Sequence, residues 1–145
     1  MHDVSRQLTL DELAELFEGR TRLVEELAKR PDPLGEARDV IAQLGEEDKL
    51  EALNAHPAIG AKNLSARSAA EQGDDSDPEV LTELAYLNQV YEEKFGFRFV
   101  VFVNRRPKEE ILDVLRERLE HTREEELDTA VEELVAIAED RWRRS

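Results

Sequence analysis

The residues best suited to chemistry lie within residues 54–72, in the stretch N-A-H-P-A-I-G-A-K-N-L-S-A-R-S-A-A-E-Q. A histidine, His56, stands directly before Pro57. Histidine gives and takes a proton near neutral pH, because its ordinary pKa is about 6.5. A helix should end at His56, since the residue before a proline is disfavoured in helical conformation. The ring is then free to point into a cavity as an acid or base, although a buried histidine with a structural role fits the same pattern.

A second group of polar side chains follows at Ser68, Glu71 and Gln72. Ser68 and Glu71 have the spacing of a capping box, and on a helical turn they share a face with Gln72 beside them. A hydroxyl, a carboxylate and an amide together suit a ligand dense in N–H and C=O groups. An ordinary helix cap would use the same spacing, so both interpretations stand.

The other titratable residues indicate little chemistry. His2 lies at the N-terminus, His121 is expected to be solvated or to act as a charge at a helix end, and residues 124–126 (E-E-E) are expected to form a solvated face. No H-E-x-x-H motif, glycine-rich phosphate loop, G-x-S-x-G elbow or cysteine is present. If the chain is an enzyme, the simplest mechanisms left are proton transfer and charge stabilisation without a cofactor.

Length and charge narrow the class of protein. A chain of 145 residues is expected to form a single domain, residues 1–145. Its net charge of -15 argues against nucleic acid and anionic membranes as partners. The same charge repels anions, so an anionic small-molecule substrate would need positive charge close to its binding site. No apolar run approaches the ~20 residues that span a bilayer, and the N-terminus lacks the layout of a signal peptide. We therefore expect a cytoplasmic protein.

Apolar residues recur at helical spacing along most of the chain and predict an all-α, compact bundle of about seven or eight helices with no significant sheet. Capping residues predict helix starts after Thr9, Thr21, Asp32, Asp77 and Thr122. The first helix is expected to end at Gly19. The helix that opens at Pro78 is expected to be the longest and to end at Gly96.

Residues 97–103 (F-R-F-V-V-F-V) are the exception to this pattern. Alone they have the composition of a buried strand, but the chain offers no partner strand, and a lone strand would leave its backbone groups unpaired. The segment is therefore either an extended apolar stretch buried between helices or the start of a helix.

Several short motifs occur together in a familiar order: H-P-A-I-G at 56–60, S-A-A-E-Q at 68–72, L-N-Q-V-Y at 87–91, K-F-G-F-R-F-V-V at 94–101 and I-A-E-D-R-W at 137–142. In this arrangement the chain resembles the 2-oxo-4-hydroxy-4-carboxy-5-ureidoimidazoline (OHCU) decarboxylase family of urate breakdown. The resemblance implies an all-α fold, a homodimer, no metal or organic cofactor, and conversion of OHCU to (S)-allantoin and CO2.

The resemblance also assigns roles to residues. His56 and Glu71 would be catalytic, with His56 as the general acid/base. The substrate would be bound by Pro57, Ser68, Glu71, Gln72, Phe99, Val100, Val101, Phe102 and Arg141. Two alternatives remain: a non-catalytic helical interaction domain that kept the fold, and an enzyme that acts on another ureido acid.

Overall fold

The computed structural model describes residues 7–57 and 77–144. Within these ranges the chain forms seven helices and no strand, which confirms the all-α prediction. No helix of the described ranges is long and apolar enough to cross a membrane. The predicted helical turn at residues 68–72 lies outside the described residues. The helices are α1 (Leu10–Leu16), α2 (Arg22–Leu27), α3 (Pro33–Gln43), α4 (Glu46–Asn54), α5 (Pro78–Phe95), α6 (Lys108–Arg118) and α7 (Arg123–Arg144).

Two capping boxes predicted from the sequence are formed. The Thr9 hydroxyl accepts the backbone N–H of Glu12 at 3.1 Å, and the Glu12 carboxylate accepts the backbone N–H of Thr9 at 3.0 Å. Thr122 and Glu125 make the same reciprocal pair before α7, at 3.2 and 2.9 Å. Each pair satisfies backbone N–H groups that a helix start leaves without an intrahelical partner, which explains why these two starts are where the sequence predicts them.

Two helix lengths differ from the prediction. The first helix ends at Leu16, not at Gly19, and Glu18 has a left-handed backbone with φ 66°. The longest described helix is α7, with 22 residues against 18 in α5. The cause is that α7 contains neither glycine nor proline, whereas Gly96 ends α5 in a left-handed conformation of φ 82°.

Helix α7 lies at the centre of the packing. Helices α1, α3 and α4 pack against it, α2 packs against α1, α3 and α4, and α5 pairs with α6. One face of α7 buries Ala130, Leu134, Val135 and Ala138 completely. Each fully buried large aliphatic side chain stabilises the fold by roughly 1.5–3 kcal/mol, so the apolar stripe of α7 accounts for its central position.

Residues 97–103 contain neither helix nor strand and are largely buried, which excludes the helical alternative and agrees with an apolar stretch buried between helices. The side chains of Phe97, Phe99 and Val101 are at most 4% exposed. The rings of Phe97 and Phe99 contact Tyr91 of α5, with centroids 5.9 and 5.2 Å apart. The apolar composition that suggested a strand therefore serves to fill the core beside α5.

Side chains replace the missing partner strand. Arg118 of α6 donates to the carbonyl of Val100 at 2.7 Å, and Arg106 donates to the carbonyl of Phe102 at 2.6 Å. Glu133 of α7 accepts the backbone N–H of Phe102 at 3.3 Å. This apolar segment can therefore be buried without a sheet, because these polar groups of its backbone have partners.

Candidate active site

His56 lies just beyond the end of α4. The helix ends at Asn54, and the His56 N–H donates to the Leu53 carbonyl at 3.2 Å. The side chain is only 5% exposed, and Nε2 has no hydrogen-bond partner among the described residues. Buried polar atoms are nearly always paired, so an unpaired imidazole nitrogen requires an explanation. Its hydrogen-bonding capacity is not used by the described part of the scaffold.

The surroundings of His56 keep its ring uncharged. The pKa of His56 is lowered from 6.5 to about 4, mainly by burial; the positive charges of Arg141 and Arg98 contribute to this lowering, while Glu18 opposes it. Burial disfavours the charged form of an imidazole, and a neighbouring cation does the same. At neutral pH one ring nitrogen is therefore an acceptor and the other a donor.

Arg141 reaches the same region from α7. Its side chain is 2% exposed, and Nη1 donates to the Leu16 carbonyl at 3.1 Å and pairs with Glu18 Oε1 at 3.0 Å. The family resemblance places Arg141 in one site with His56, and the charge of Arg141 contributes to the low pKa of His56. Its contact with a substrate stays a prediction.

Glu18 was missed by sequence reasoning. It follows α1 directly, and its carboxylate, only 14% exposed, forms an ion pair with Arg141 and favours the charged form of His56. A left-handed backbone costs a non-glycine residue roughly 1–2 kcal/mol, so the surrounding contacts must hold Glu18 in place. The only signal in the sequence is the adjacent Gly19, which instead predicts the end of the first helix.

Asn54 and Arg98 were also missed. The Asn54 side-chain oxygen accepts the backbone N–H of Arg98 at 2.9 Å, and Arg98 Nη1 donates to the His56 carbonyl at 2.5 Å. The available signal was a single charged residue within the otherwise apolar F-R-F-V-V-F-V run. Such a residue needs a polar partner when its neighbours are buried.

The remaining predicted site residues are only partly covered by the structure. Phe99, Val100 and Val101 are buried and Phe102 is half-buried, all in the segment whose Arg98 contacts the backbone of His56. Pro57 is half-buried beside His56. The last three, Ser68, Glu71 and Gln72, lie outside the described residues.

A second polar cluster corrects two expectations. Glu126 was predicted to be solvated, yet it is fully buried and accepts from the Tyr91 hydroxyl at 2.6 Å and from Arg118 Nε at 2.7 Å. His121 was predicted to be solvated or to act as a charge at a helix end; it is half-buried, with Nδ1 at 2.7 Å from Glu126 Oε2, so the solvated alternative is wrong, while its place just beyond the end of α6 agrees with the other one. The three partners compensate the cost of burying the Glu126 carboxylate. The acidic run at residues 124–126 gave no sign of this burial.

No group of three or more His, Cys, Asp or Glu side chains that could hold a metal occurs in residues 7–57 and 77–144.

Residues 2–143 match the model of the OHCU decarboxylase family. The chain belongs to this family. Among its OHCU decarboxylase relatives, the enzyme of Haloferax volcanii is 33% identical over 99 residues, which are 64% of this chain and 58% of the relative.

A second relative is a longer protein. The uric acid degradation bifunctional protein TTL of Arabidopsis thaliana is 36% identical over 114 residues, which are 71% of this chain and 35% of that protein. The chain thus matches about a third of one relative and just under three fifths of the other.

The fold also matches a solved structure. A crystal structure of OHCU decarboxylase in the presence of (S)-allantoin superposes with a TM-score of 0.77 at 29% identity, covering 92% of this chain and 96% of the other. The likeness extends over nearly the whole of both chains, so the helical arrangement is that of an OHCU decarboxylase.

Proposed function

We propose that this protein removes CO2 from OHCU and forms (S)-allantoin, without a metal or organic cofactor, as a step of urate degradation. The observation that carries the proposal is the buried His56, whose Nε2 is unpaired among the described residues, in a member of this family. An uncharged, water-shielded imidazole is suited to moving a proton on a bound molecule.

The low pKa of His56 sets the order of proton transfers in this proposal. The neutral ring first accepts the proton of the substrate's 4-hydroxyl group. The bond to the carboxylate then breaks, CO2 leaves, and its electron pair passes into the ring towards the imine nitrogen, which takes a proton from solvent. His56 finally donates its proton to the adjacent ring carbon, and the former hydroxyl becomes the carbonyl group of allantoin. Donation from one face gives a single enantiomer.

The other predicted residues would hold the substrate. Ser68, Glu71 and Gln72 would bind the ureido and ring groups, with Glu71 also assisting the reaction. Pro57 and residues 99–102 (Phe99, Val100, Val101, Phe102) would form the apolar wall. Holding the substrate and His56 in the reactive orientation can lower the activation barrier by several kcal/mol, up to about 7–11 kcal/mol in the best cases.

Arg141 would provide the local positive charge that an anionic substrate needs on a protein of net charge -15. Its guanidinium and that of Arg98 both act on His56, so two cations lie near the proposed proton carrier.

The test is a stereochemical assay. OHCU is generated in place from urate by the two preceding enzymes, and allantoin formation is followed by circular dichroism. We expect the purified protein to accelerate formation of dextrorotatory (S)-allantoin over spontaneous decay, which gives a racemate. An unchanged rate and a racemic product would refute the proposal.

The role of His56 has its own test. His56→Gln should lower kcat by roughly 10²–10⁴-fold, the usual contribution of a general acid or base, while the circular dichroism of the helices is retained. A chelator should leave the rate of the unsubstituted protein unchanged. Near-normal activity of His56→Gln would show that the histidine is structural.

We further propose that residues 1–145 form one domain, which assembles as a homodimer in the cytoplasm. Family resemblance supports the dimer, as does the exposure of two large apolar side chains of α5, Leu81 and Tyr86. Light scattering coupled to gel filtration should give twice the mass of 16.7 kDa. A monomeric mass at micromolar concentration would contradict the dimer.

A further inference from the structure

The end of α4 is held from across the chain. Helix α4 has no basic residue in its last turn, and its terminal carbonyl groups have no intrahelical partner to accept from. Arg98 Nη1 lies 2.5 Å from the His56 carbonyl and 3.5 Å from the Asn54 carbonyl. A guanidinium at this end of a helix also interacts favourably with the helix dipole.

The contact is reciprocal. The Asn54 side chain accepts the backbone N–H of Arg98 at 2.9 Å, so Arg98 is bonded to the end of α4 through both its side chain and its main chain. Glu92 of α5 lies 3.6 Å from Arg98 Nε, close enough for an ion pair but too far for a hydrogen bond. The planar fork of an arginine suits such a set of acceptors, whereas the compact ammonium of a lysine does not.

This contact joins two of the described parts of the proposed site. On one side lies the backbone of His56, and on the other lies the apolar segment of residues 97–103. We propose that Arg98 is a positioning residue: together with Asn54 it fixes the end of α4 to residues 97–103 and thereby sets the place of the His56 ring relative to the apolar wall. The inference rests on the proposed function for its effect on catalysis, but the contact itself does not.

Two variants separate position from charge. Arg98→Met keeps most of the apolar stem and removes the charge and the donors, whereas Arg98→Lys keeps the charge and loses the fork. Misplacing a reacting group by about 1 Å can cost about 100-fold in rate, so we expect kcat to fall by roughly 10- to 100-fold in both variants with KM little changed. Arg116→Met is the matched control, because Arg116 is an exposed, ion-paired arginine of α6, and it should retain the original kcat.

The pKa of His56, measured by NMR titration of its ring protons without substrate, is the second readout. The charged groups that act on the ring are Glu18 after α1, Arg141 of α7 and Arg98. Removing the Arg98 charge should raise the pKa of His56 from its value of about 4, and Arg98→Lys should leave it close to that value. A loss of structure alone would not distinguish methionine from lysine in this way.

The outcomes are decisive. An unchanged kcat in folded Arg98→Met, or a His56 pKa that does not respond to that substitution, overturns the proposal. If Arg98→Met does not fold, Asn54→Ala replaces it: this variant keeps the guanidinium and removes the acceptor of the Arg98 N–H, and it should lower kcat in the same direction by a smaller factor. If the unsubstituted protein has no decarboxylase activity, the proposed function fails, whereas the titration still tests whether Arg98 acts on His56.

Discussion

The buried imidazole of His56 is stabilised in its uncharged form by what surrounds it. Burial is the largest cause of its low pKa, and two guanidinium groups add to it. Glu18 offsets part of this effect, and it also pairs with Arg141. The imidazole of His56 is therefore a weak base that is uncharged at neutral pH. It can hold a proton only while a bound anion or a reacting group stabilises the charged ring.

The pKa of His56 predicts a dependence of stability on pH. Its pKa is about 4 in the folded protein and near 6.5 in the unfolded chain, so the unfolded chain binds more protons between these values. The stabilisation is fully present above pH 6.5 and is lost as the pH falls towards 4. We expect the free energy of unfolding to lose about 2 kcal/mol between pH 7 and pH 5 from this residue. The measurement is urea denaturation of the original protein and of His56→Gln at both pH values.

The comparison between the two proteins isolates His56, because the carboxylates contribute equally to both. Between pH 7 and pH 5 the free energy of unfolding should fall by about 2 kcal/mol less in His56→Gln than in the original protein. Equal losses in both proteins would mean that the ring titrates normally and is not shielded from water.

At the scale of elements, one buried network ties four parts of the chain together. Glu126 of α7 accepts from Tyr91 of α5 and from Arg118 of α6, and Arg118 also bonds the Val100 carbonyl. The Arg118 guanidinium lies 4.7 Å from the centre of the Phe99 ring. Burial, with the Glu126 bond, raises the pKa of Tyr91 well above its usual value, so its hydroxyl remains a donor. The network links residues 97–103 to α5, α6 and α7.

Removing one member of the central ion pair should be costly. In Glu126→Gln the Arg118 charge stays buried without its partner, and we expect a loss of about 3–5 kcal/mol of unfolding free energy. Arg118→Met combined with Glu126→Leu should cost less than the sum of the two single changes, because no buried charge is left alone. Urea denaturation of the original protein, of Arg118→Met, of Glu126→Leu and of the double variant gives this difference.

The exposed Arg38–Glu132 pair between α3 and α7 provides the control. Breaking it should cost no more than about 1 kcal/mol, since solvent screens both charges. Similar losses at the two pairs would contradict a structural role of the buried network.

Sequence patterns were sufficient for the helices and insufficient for what lies between them. Capping residues such as Thr9 and Thr122 act on their own neighbours, so local chemistry predicts where those helices begin. His56 could be selected because Pro57 forces a helix end there. The partners of His56 could not, since Glu18 and Arg98 reach it through tertiary contacts that no spacing in the sequence records. Glu126 was misjudged for the same reason, as two of its three partners, Tyr91 and Arg118, come from other helices.

At the scale of the whole molecule, charge is distributed unevenly. The net charge is -15, but guanidinium groups with little solvent exposure lie on the inside, at Arg118 and Arg141. The acidic surface raises solubility and repels anions at long range, whereas the buried arginines act over a few ångströms. An anionic substrate would therefore bind more readily when salt screens the surface. The same screening also affects the free energy of unfolding, because it weakens repulsion among the acidic side chains.

Added salt should stabilise this protein. Repulsion among 35 acidic residues against 20 basic ones disfavours the compact state, and an ionic strength of 0.15 M reduces the screening length to about 8 Å. We expect the free energy of unfolding to rise by on the order of 1 kcal/mol between 0.01 and 0.3 M NaCl at pH 7.5. KCl should act equally, because screening depends on ionic strength and not on the cation. Near the isoelectric point of about 4.6 the dependence should disappear, since the net charge there is close to zero. A salt dependence that persists at that pH, or a decrease at pH 7.5, would mean that specific ion pairs outweigh the net repulsion.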